Sequence, residues 1–281
     1  MISLEGMYDL HIHPAPSIRR RRLNAVQVLQ LAHKEKMAGV LFVDHTYNTT
    51  VVAETVNEMG LSPKAYGSII LNEAVGGLNL SVVETALDLG TKQIEMPTYS
   101  SKAHYDVYGG EEAKFPYKNR VEPTYILDSK GRLIGAVEEI LEAIKDKNAF
   151  LGTGGHLSIP EVDALVNRAR ALGIKLLLNS VSTDKLKIPL GPQKRWAGDH
   201  VFMEHTYMAV TDVTPIDTVV EQIRGVGAEY CVLATDAGGM QLPDNVTVMK
   251  SFVEGLLASG ITEKEIDLMT RKNPKILLGV S

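Results

Sequence analysis

Cysteine is almost absent. Cys231 is the only one in 281 residues, which excludes an internal disulfide and any zinc site built on several thiolates, and fits a reducing compartment. Long apolar runs are missing too: none approaches the ~18–20 residues needed to cross a bilayer. Met1 to Tyr8 do not pair a basic segment with an apolar one, as a secretory leader would. The expectation is a cytoplasmic protein with no membrane partner. Basic charge is not in excess either. With 29 Lys and Arg against 34 Asp and Glu, the net charge is −5, which disfavours nucleic acid as a partner and leaves a small-molecule substrate. The one basic block is Arg19, Arg20, Arg21 and Arg22.

What is present is an ordinary globular composition, 44% hydrophobic and 22% charged, sufficient for a real core. The length lies near the ~250 residues of a closed α/β barrel. Short β-rich runs at 7–11, 39–44, 64–71, 93–96, 149–155, 175–179, 200–205 and 230–235 alternate with stretches of helical period. Those stretches include 24–37, 50–59, 80–89, 133–147, 160–172 and 215–226. Pro160 and Pro215 sit where a helix tolerates a missing N–H, and glycines after several segments read as stops.

Repeated βα units close into a barrel or lie as an open doubly wound sheet, and periodicity alone does not choose. The placement of chemistry helps, because a barrel carries reactive side chains at the C-terminal ends of many strands. Of eight histidines, His11, His13, His45, His156 and His205 fall at or just past strand ends. The expected fold is one α/β domain over 1–281, a (β/α)8 TIM barrel with a long insertion after strand 4. That insertion, 97–130, lacks clear periodicity and reads as a lid. Its Tyr99, His104, Tyr105, Tyr108, Phe115, Tyr117 and Tyr125 either fold over a ligand or pack against a second copy in a homo-oligomer.

In Tyr8-Asp9-Leu10-His11-Ile12-His13-Pro14, strand alternation places Asp9, His11 and His13 on one face. Two imidazoles about 6–7 Å apart on that face suit one divalent ion. At the far end of the chain an apolar strand stops at Asp236, followed by Ala237-Gly238-Gly239. That acid is either a metal ligand and proton acceptor or a turn cap. Gly152-Thr153-Gly154-Gly155-His156 clears side chains from the barrel mouth, so that His156 reaches a central ion; a plain turn or a phosphate cradle is the alternative. On strand 4, Glu95 lies opposite Lys92 and Ile94 in parity, which favours a carboxylate over a modified lysine as a bridging ligand. The other reading of Glu95 is a partner for a basic side chain.

Together these residues resemble the amidohydrolase superfamily of metal-dependent hydrolases. The resemblance rests on His11 and His13, Glu95, His156, Asp236, and the closing segment Asn273-Pro274-Lys275-Ile276-Leu277-Leu278-Gly279. More narrowly, Leu71-Asn72-Glu73-Ala74-Val75-Gly76-Gly77-Leu78-Asn79, Met96-Pro97-Thr98 and Gly155-His156-Leu157-Ser158 resemble a poorly characterised bacterial branch. The resemblance implies one or two divalent ions, zinc foremost, held by His11, His13, Asp236 and some of Glu95 and His156, with Asp236 as the proton-handling group. Where many members have a strand-six histidine, this chain has Asn179, a weaker ligand. His205 on strand seven either supplies the missing ligand or meets substrate. His45 either contacts substrate or closes a polar network.

Arg19, Arg20 and Arg21 after strand one, and Lys185, Lys187, Lys194 and Arg195 after strand six, suit a carboxylate or phosphate on the substrate. The leading expectation is hydrolysis of an amide, lactone or ester in a small anionic molecule. A metal-dependent decarboxylase or lyase on the same scaffold, and a degenerate barrel that binds a metabolite without turnover, are the rivals.

Overall fold

The computed structural model describes residues 2–109, 122–183, 186–198, 200–212 and 214–281. Eight strands form where the alternation placed them: β1 (Tyr8–Ile12), β2 (Gly39–Phe42), β3 (Lys64–Ile70), β4 (Gln93–Glu95), β5 (Phe150–Gly152), β6 (Leu176–Leu178), β7 (Val201–Thr206) and β8 (Cys231–Ala234). Each pairs in parallel with the next. The ring closes just past β8, where Asp236 N–H donates to the His11 carbonyl at 2.9 Å and His13 N–H donates to the Ala237 carbonyl at 2.8 Å. The fold is a (β/α)8 barrel, and the seam is stitched by residues singled out for chemistry.

Every crossover is helical: α1 (Ala25–Lys34), α2 (Thr50–Asn57), α3 (Leu80–Asp88), α4 (Lys102–Tyr108), α5 (Gly135–Ile144), α6 (Ile159–Leu172), α7 (Leu190–Trp196), α8 (Tyr207–Asp212) and α9 (Ile216–Val226). α10 (Asn245–Ala258), α11 (Glu263–Asp267) and α12 (Asn273–Leu278) follow β8. The local causes are legible. α1 starts at a capping box between Asn24 and Gln27 and buries Ala25, Val28, Leu29 and Ala32, one helical stripe. α6 starts at a Ser158–Glu161 box with Pro160 in its first turn and stops at Gly173, φ 69°. Pro215 sits one residue ahead of α9, as its N-cap. Among the described residues no helix is long and apolar enough to cross a membrane.

Alternation along the strands divides the core in two. Tyr8, Leu10, Leu41, Val43, Tyr66, Ile70, Phe150, Leu177, Phe202 and Val232 fill the barrel, and Leu277 and Leu278 of α12 plug its N-terminal end. Their strand neighbours, among them Val40, Phe42, Ile94, Leu151, Leu176, Met203 and Leu233, pack outward against the helices. Each fully buried Leu or Phe in these layers stabilises the fold by roughly 1.5–3 kcal/mol.

One expectation needs correction. Strict alternation would send Tyr8 and Leu10 away from the face that carries His11 and His13, yet Tyr8 and Leu10 lie inside the barrel. The register explains it: Asp9 pairs with Val40 and Ile12 with Phe42, so β1 carries one extra residue there. This bulge puts Leu10 and His11 on the same side, while Asp9 bonds Thr235 instead, accepting from its N–H at 3.0 Å and its hydroxyl at 2.6 Å. In the described parts of the insertion, Ser101 caps α4, Ser101 and His104 are buried, and Ser101 bridges Thr124. Phe115 and Tyr117 of the expected lid lie outside the described residues, as does Lys185.

Candidate metal centre and substrate cavity

The C-terminal mouth of the barrel opens into a cavity of about 570 Å³. At its floor, ligand atoms of His11, His13 and Asp236 lie within 4.8 Å of one another. Backbone geometry places them. Asp236 has φ 51°, a left-handed conformation that Asp tolerates better than most residues, and its N–H is tied to the His11 carbonyl. Gly238 lets the strands come this close, because a Cβ there would stand 2.1 Å from the His13 carbonyl oxygen.

Hydrogen bonding decides how each imidazole faces the centre. His13 Nδ1 lies 2.9 Å from the Val43 carbonyl, which only accepts, so Nδ1 carries the proton. Burial holds the His13 pKa below its ordinary value, against the pull of Asp236. Its Nε2 faces Asp236 Oδ1 at 3.2 Å, a distance that a shared proton or one bound cation bridges, and an imidazole–carboxylate donor set suits a divalent ion such as zinc.

His11 is turned by Glu204. Its Nδ1 lies 3.1 Å from Glu204 Oε2 and its Nε2 lies 3.6 Å from Asp236 Oδ1, the carboxylate–histidine arrangement that orients metal ligands. Burial pulls the His11 pKa down, but Glu204, Asp236 and Glu95 outweigh it and lift it to about 10. Asp236 shows the reverse: burial raises it, yet His11, His13 and Arg21 together hold it below the ordinary carboxylate range. Glu95 is 1% exposed, its Oε1 has no hydrogen-bond partner, and burial pushes its pKa up to about 8. An orphaned carboxylate oxygen beside two ligand-like imidazoles fits a second contact to a cation. Gly152 makes its space, since a Cβ there would meet Glu95 Cγ at 2.7 Å.

His156 and His45 line the same cavity. His156 Nδ1 lies 2.8 Å from His104 Nδ1, and burial, with His104 beside it, lowers its pKa to about 3. His45 stacks on His13 with centroids 5.0 Å apart, and its Nδ1 is 3.1 Å from Thr98 Oγ1. Asn72 joins this network, accepting from Thr98 N–H and donating to the His45 carbonyl. Ser101 Oγ donates to the His156 carbonyl. The short motifs around Asn72, Thr98 and His156 therefore meet in space.

Other candidates fall elsewhere. Asn179 lies beneath the centre with both ends of its amide committed: Oδ1 accepts from Gly154 N–H at 3.0 Å and Nδ2 donates to Glu204 Oε2 at 3.3 Å. It is a strut. His205 is not brought to the cavity. It lies on the outer face of β7, wholly buried, with Nδ1 3.0 Å from Ser182 Oγ. Its neighbour Glu204 has the inward parity, and the β7 period was the signal that identifies it. Arg19, Arg20 and Arg21 line the cavity. Arg195 does not; it is exposed on α7 beside Trp196. Lys187 and Lys194 are exposed as well. Tyr99, which lies in the insertion, is an inner wall whose ring meets His45 edge-on at 4.5 Å.

Comparison with known proteins adds fold but little chemistry. A family model described as a family of unknown function (DUF6282) matches residues 6–204. No curated protein matches the chain. Solved structures with a similar fold include an amidohydrolase from Pseudomonas aeruginosa, 11% identical with TM-score 0.64 over 97% of this chain and 95% of that one. A β-aspartyl dipeptidase from Fervidobacterium islandicum AW-1 is 15% identical, with TM-score 0.59 over 99% and 75%. A 2,6-dihydroxybenzoate decarboxylase from Rhizobium is 11% identical, with TM-score 0.56 over 98% and 99%. At such identities the likeness is one of fold, a barrel shared with these enzymes.

Proposed function

The chain belongs to the DUF6282 family of unknown function, and we propose that it is a metal-dependent hydrolase that cleaves an amide, lactone or ester bond in a small molecule. One observation carries this reading: ligand atoms of His11, His13 and Asp236 lie within 4.8 Å of one another at the cavity floor, with His13 Nε2 3.2 Å from Asp236 Oδ1. His11, His13 and Asp236 would hold a divalent ion such as zinc, and Glu95 and His156, which line the same cavity, would add contacts or hold a second. When bound, such an ion lowers the pKa of a coordinated water toward about 7 and polarises a carbonyl.

The chain's own groups do the rest. Val43 and Glu204 keep the two imidazoles in fixed tautomers. Asp236, with about a quarter of its side chain exposed to the cavity, accepts a proton at its carboxylate and returns it to the leaving group. Tyr99 and His45 narrow the mouth and limit water.

The test is metal content and turnover together. Purified protein should carry close to one or two equivalents of a divalent metal, and label from H2¹⁸O should enter the product. Less than about 0.3 equivalent, with no gain on adding zinc, would favour a non-catalytic barrel. The decarboxylase named among the similar structures supplies the competing reaction; CO2 release without water incorporation would establish it in place of hydrolysis. Asp236→Asn should lower kcat by ~10²–10⁴-fold with little change in KM.

A further inference from the structure

Arg21 is built into the cavity wall in an unusual state for an arginine. Its side chain is only 7% exposed. Its Nε donates to Ser17 Oγ at 3.2 Å, but its two terminal nitrogens make no hydrogen bond among the described residues. Two carboxylates share its field, Asp44 and Asp236; the Asp44 ion pair comes no closer than 3.9 Å to Nη2, too far for a hydrogen bond. Asp44 spends its other oxygen on the N–H and hydroxyl of Thr46. A desolvated guanidinium with its outer fork unused is costly unless an anion completes it.

The loop that carries Arg21 is fixed before any ligand arrives. Ala15 N–H donates to the Leu23 carbonyl at 2.8 Å, and Arg22 N–H donates to the Gly238 carbonyl at 2.9 Å. Tyr47 Oη donates to the Pro16 carbonyl at 2.6 Å, and Arg22 reaches across to the Met240 carbonyl. The loop is thereby tied to the β8 turn that bears Asp236, and the fork is preorganised relative to the metal cluster.

Resting on the hydrolase reading above, we propose that Arg21 anchors a carboxylate of the substrate, and that this substrate is an organic acid with an apolar body beside that carboxylate. The two terminal nitrogens of a guanidinium whose Nε is already occupied match the two oxygens of a planar carboxylate. Asp44 and Asp236 offset part of the positive field of Arg19, Arg20 and Arg21 in the cavity, which favours a singly charged anion over a phosphate dianion. The apolar body follows from Ile18, Met208 and Met240, which face the same cavity.

Benzoate, benzamide and inorganic phosphate serve as probes, titrated calorimetrically into the zinc-loaded protein. Benzoate should bind, benzamide should bind more weakly, and Arg21→Met should weaken benzoate ~10- to 100-fold while leaving benzamide unchanged. Arg21→Lys, which keeps the charge and loses the fork, should fall between them, and it gives the readout if Arg21→Met does not fold. Benzoate binding that survives both substitutions would overturn the proposal, since the metal itself would then be the anchor. So would equal binding of benzoate and benzamide, no benzoate binding at millimolar concentration, or phosphate binding more tightly than benzoate. The two readings fail separately: Arg21-dependent benzoate binding without turnover of any ester or amide sinks the hydrolase, whereas water-dependent turnover with no carboxylate preference sinks the anchor.

Discussion

Nδ1 of His104 lies 2.8 Å from Nδ1 of His156. Two ring nitrogens at that distance share one proton, so one ring donates and the other accepts. The choice sets whether the opposite nitrogen of His156, on the cavity side, is a donor or a lone pair. His104 sits on α4, 52 residues away in sequence, and acts through His156. His104→Phe keeps a ring against Tyr108, now 4.6 Å away, and removes the nitrogen. It should lower metal affinity or kcat ~10- to 100-fold. A competitive chelator titration with steady-state kinetics checks this, and values within two-fold of wild type would reduce the pair to packing.

The neighbours Glu204 and His205 should separate cleanly. Glu204→Gln removes the charge that holds the His11 Nδ1 proton, and metal affinity should fall ~10- to 100-fold. His205→Leu should leave metal content and rate intact, because its ring packs outside the barrel against Ser182. Metal analysis of both variants side by side decides it; loss of metal in the His205 variant would show that the ring reaches the centre after all.

Zinc binding should release protons at pH 7. Glu204 and Asp236 overcome burial to lift His11 to about 10, and burial lifts Glu95 to about 8. In the metal-free protein both are therefore mostly protonated at neutral pH, and a cation must displace the His11 proton to use that nitrogen. Apparent affinity should rise with pH between 6 and 8, by about tenfold per unit for each proton displaced. Calorimetry in buffers of different ionisation enthalpy gives the count, and zero released protons would remove His11 from the ligand set.

Gly152→Ala should be destabilising by about 1–3 kcal/mol and should disturb the site as well. Its added methyl would meet Gln93 Nε2 at 2.5 Å, Glu95 Cγ at 2.7 Å and Asn179 Oδ1 at 2.8 Å. Gly135, at the start of α5, has open space around it, so Gly135→Ala should be neutral or stabilising by up to about 1 kcal/mol. Denaturant unfolding of the two variants makes the comparison, and equal midpoints would contradict the packing described.

Much of this was legible in one dimension, for a physical reason. Strand alternation, Pro160 and Pro215 at helix starts, and the spacing of apolar runs are local properties, so they placed eight strands and six of the twelve described helices. His11, His13 and Asp236 stood out because barrel chemistry gathers at strand ends. Whatever depends on neighbours distant in the chain was out of reach. The bulge that turns His11 inward with Leu10 arises from pairing with β2. The roles of Glu204, Asn179 and His104 come from which side chain each meets across the barrel. The unused fork of Arg21 comes from where Asp44 stops short. Local pattern determined that strands would end in imidazoles and carboxylates; only tertiary packing decided which of them face one another, because hydrogen-bond partners are chosen by distance in space.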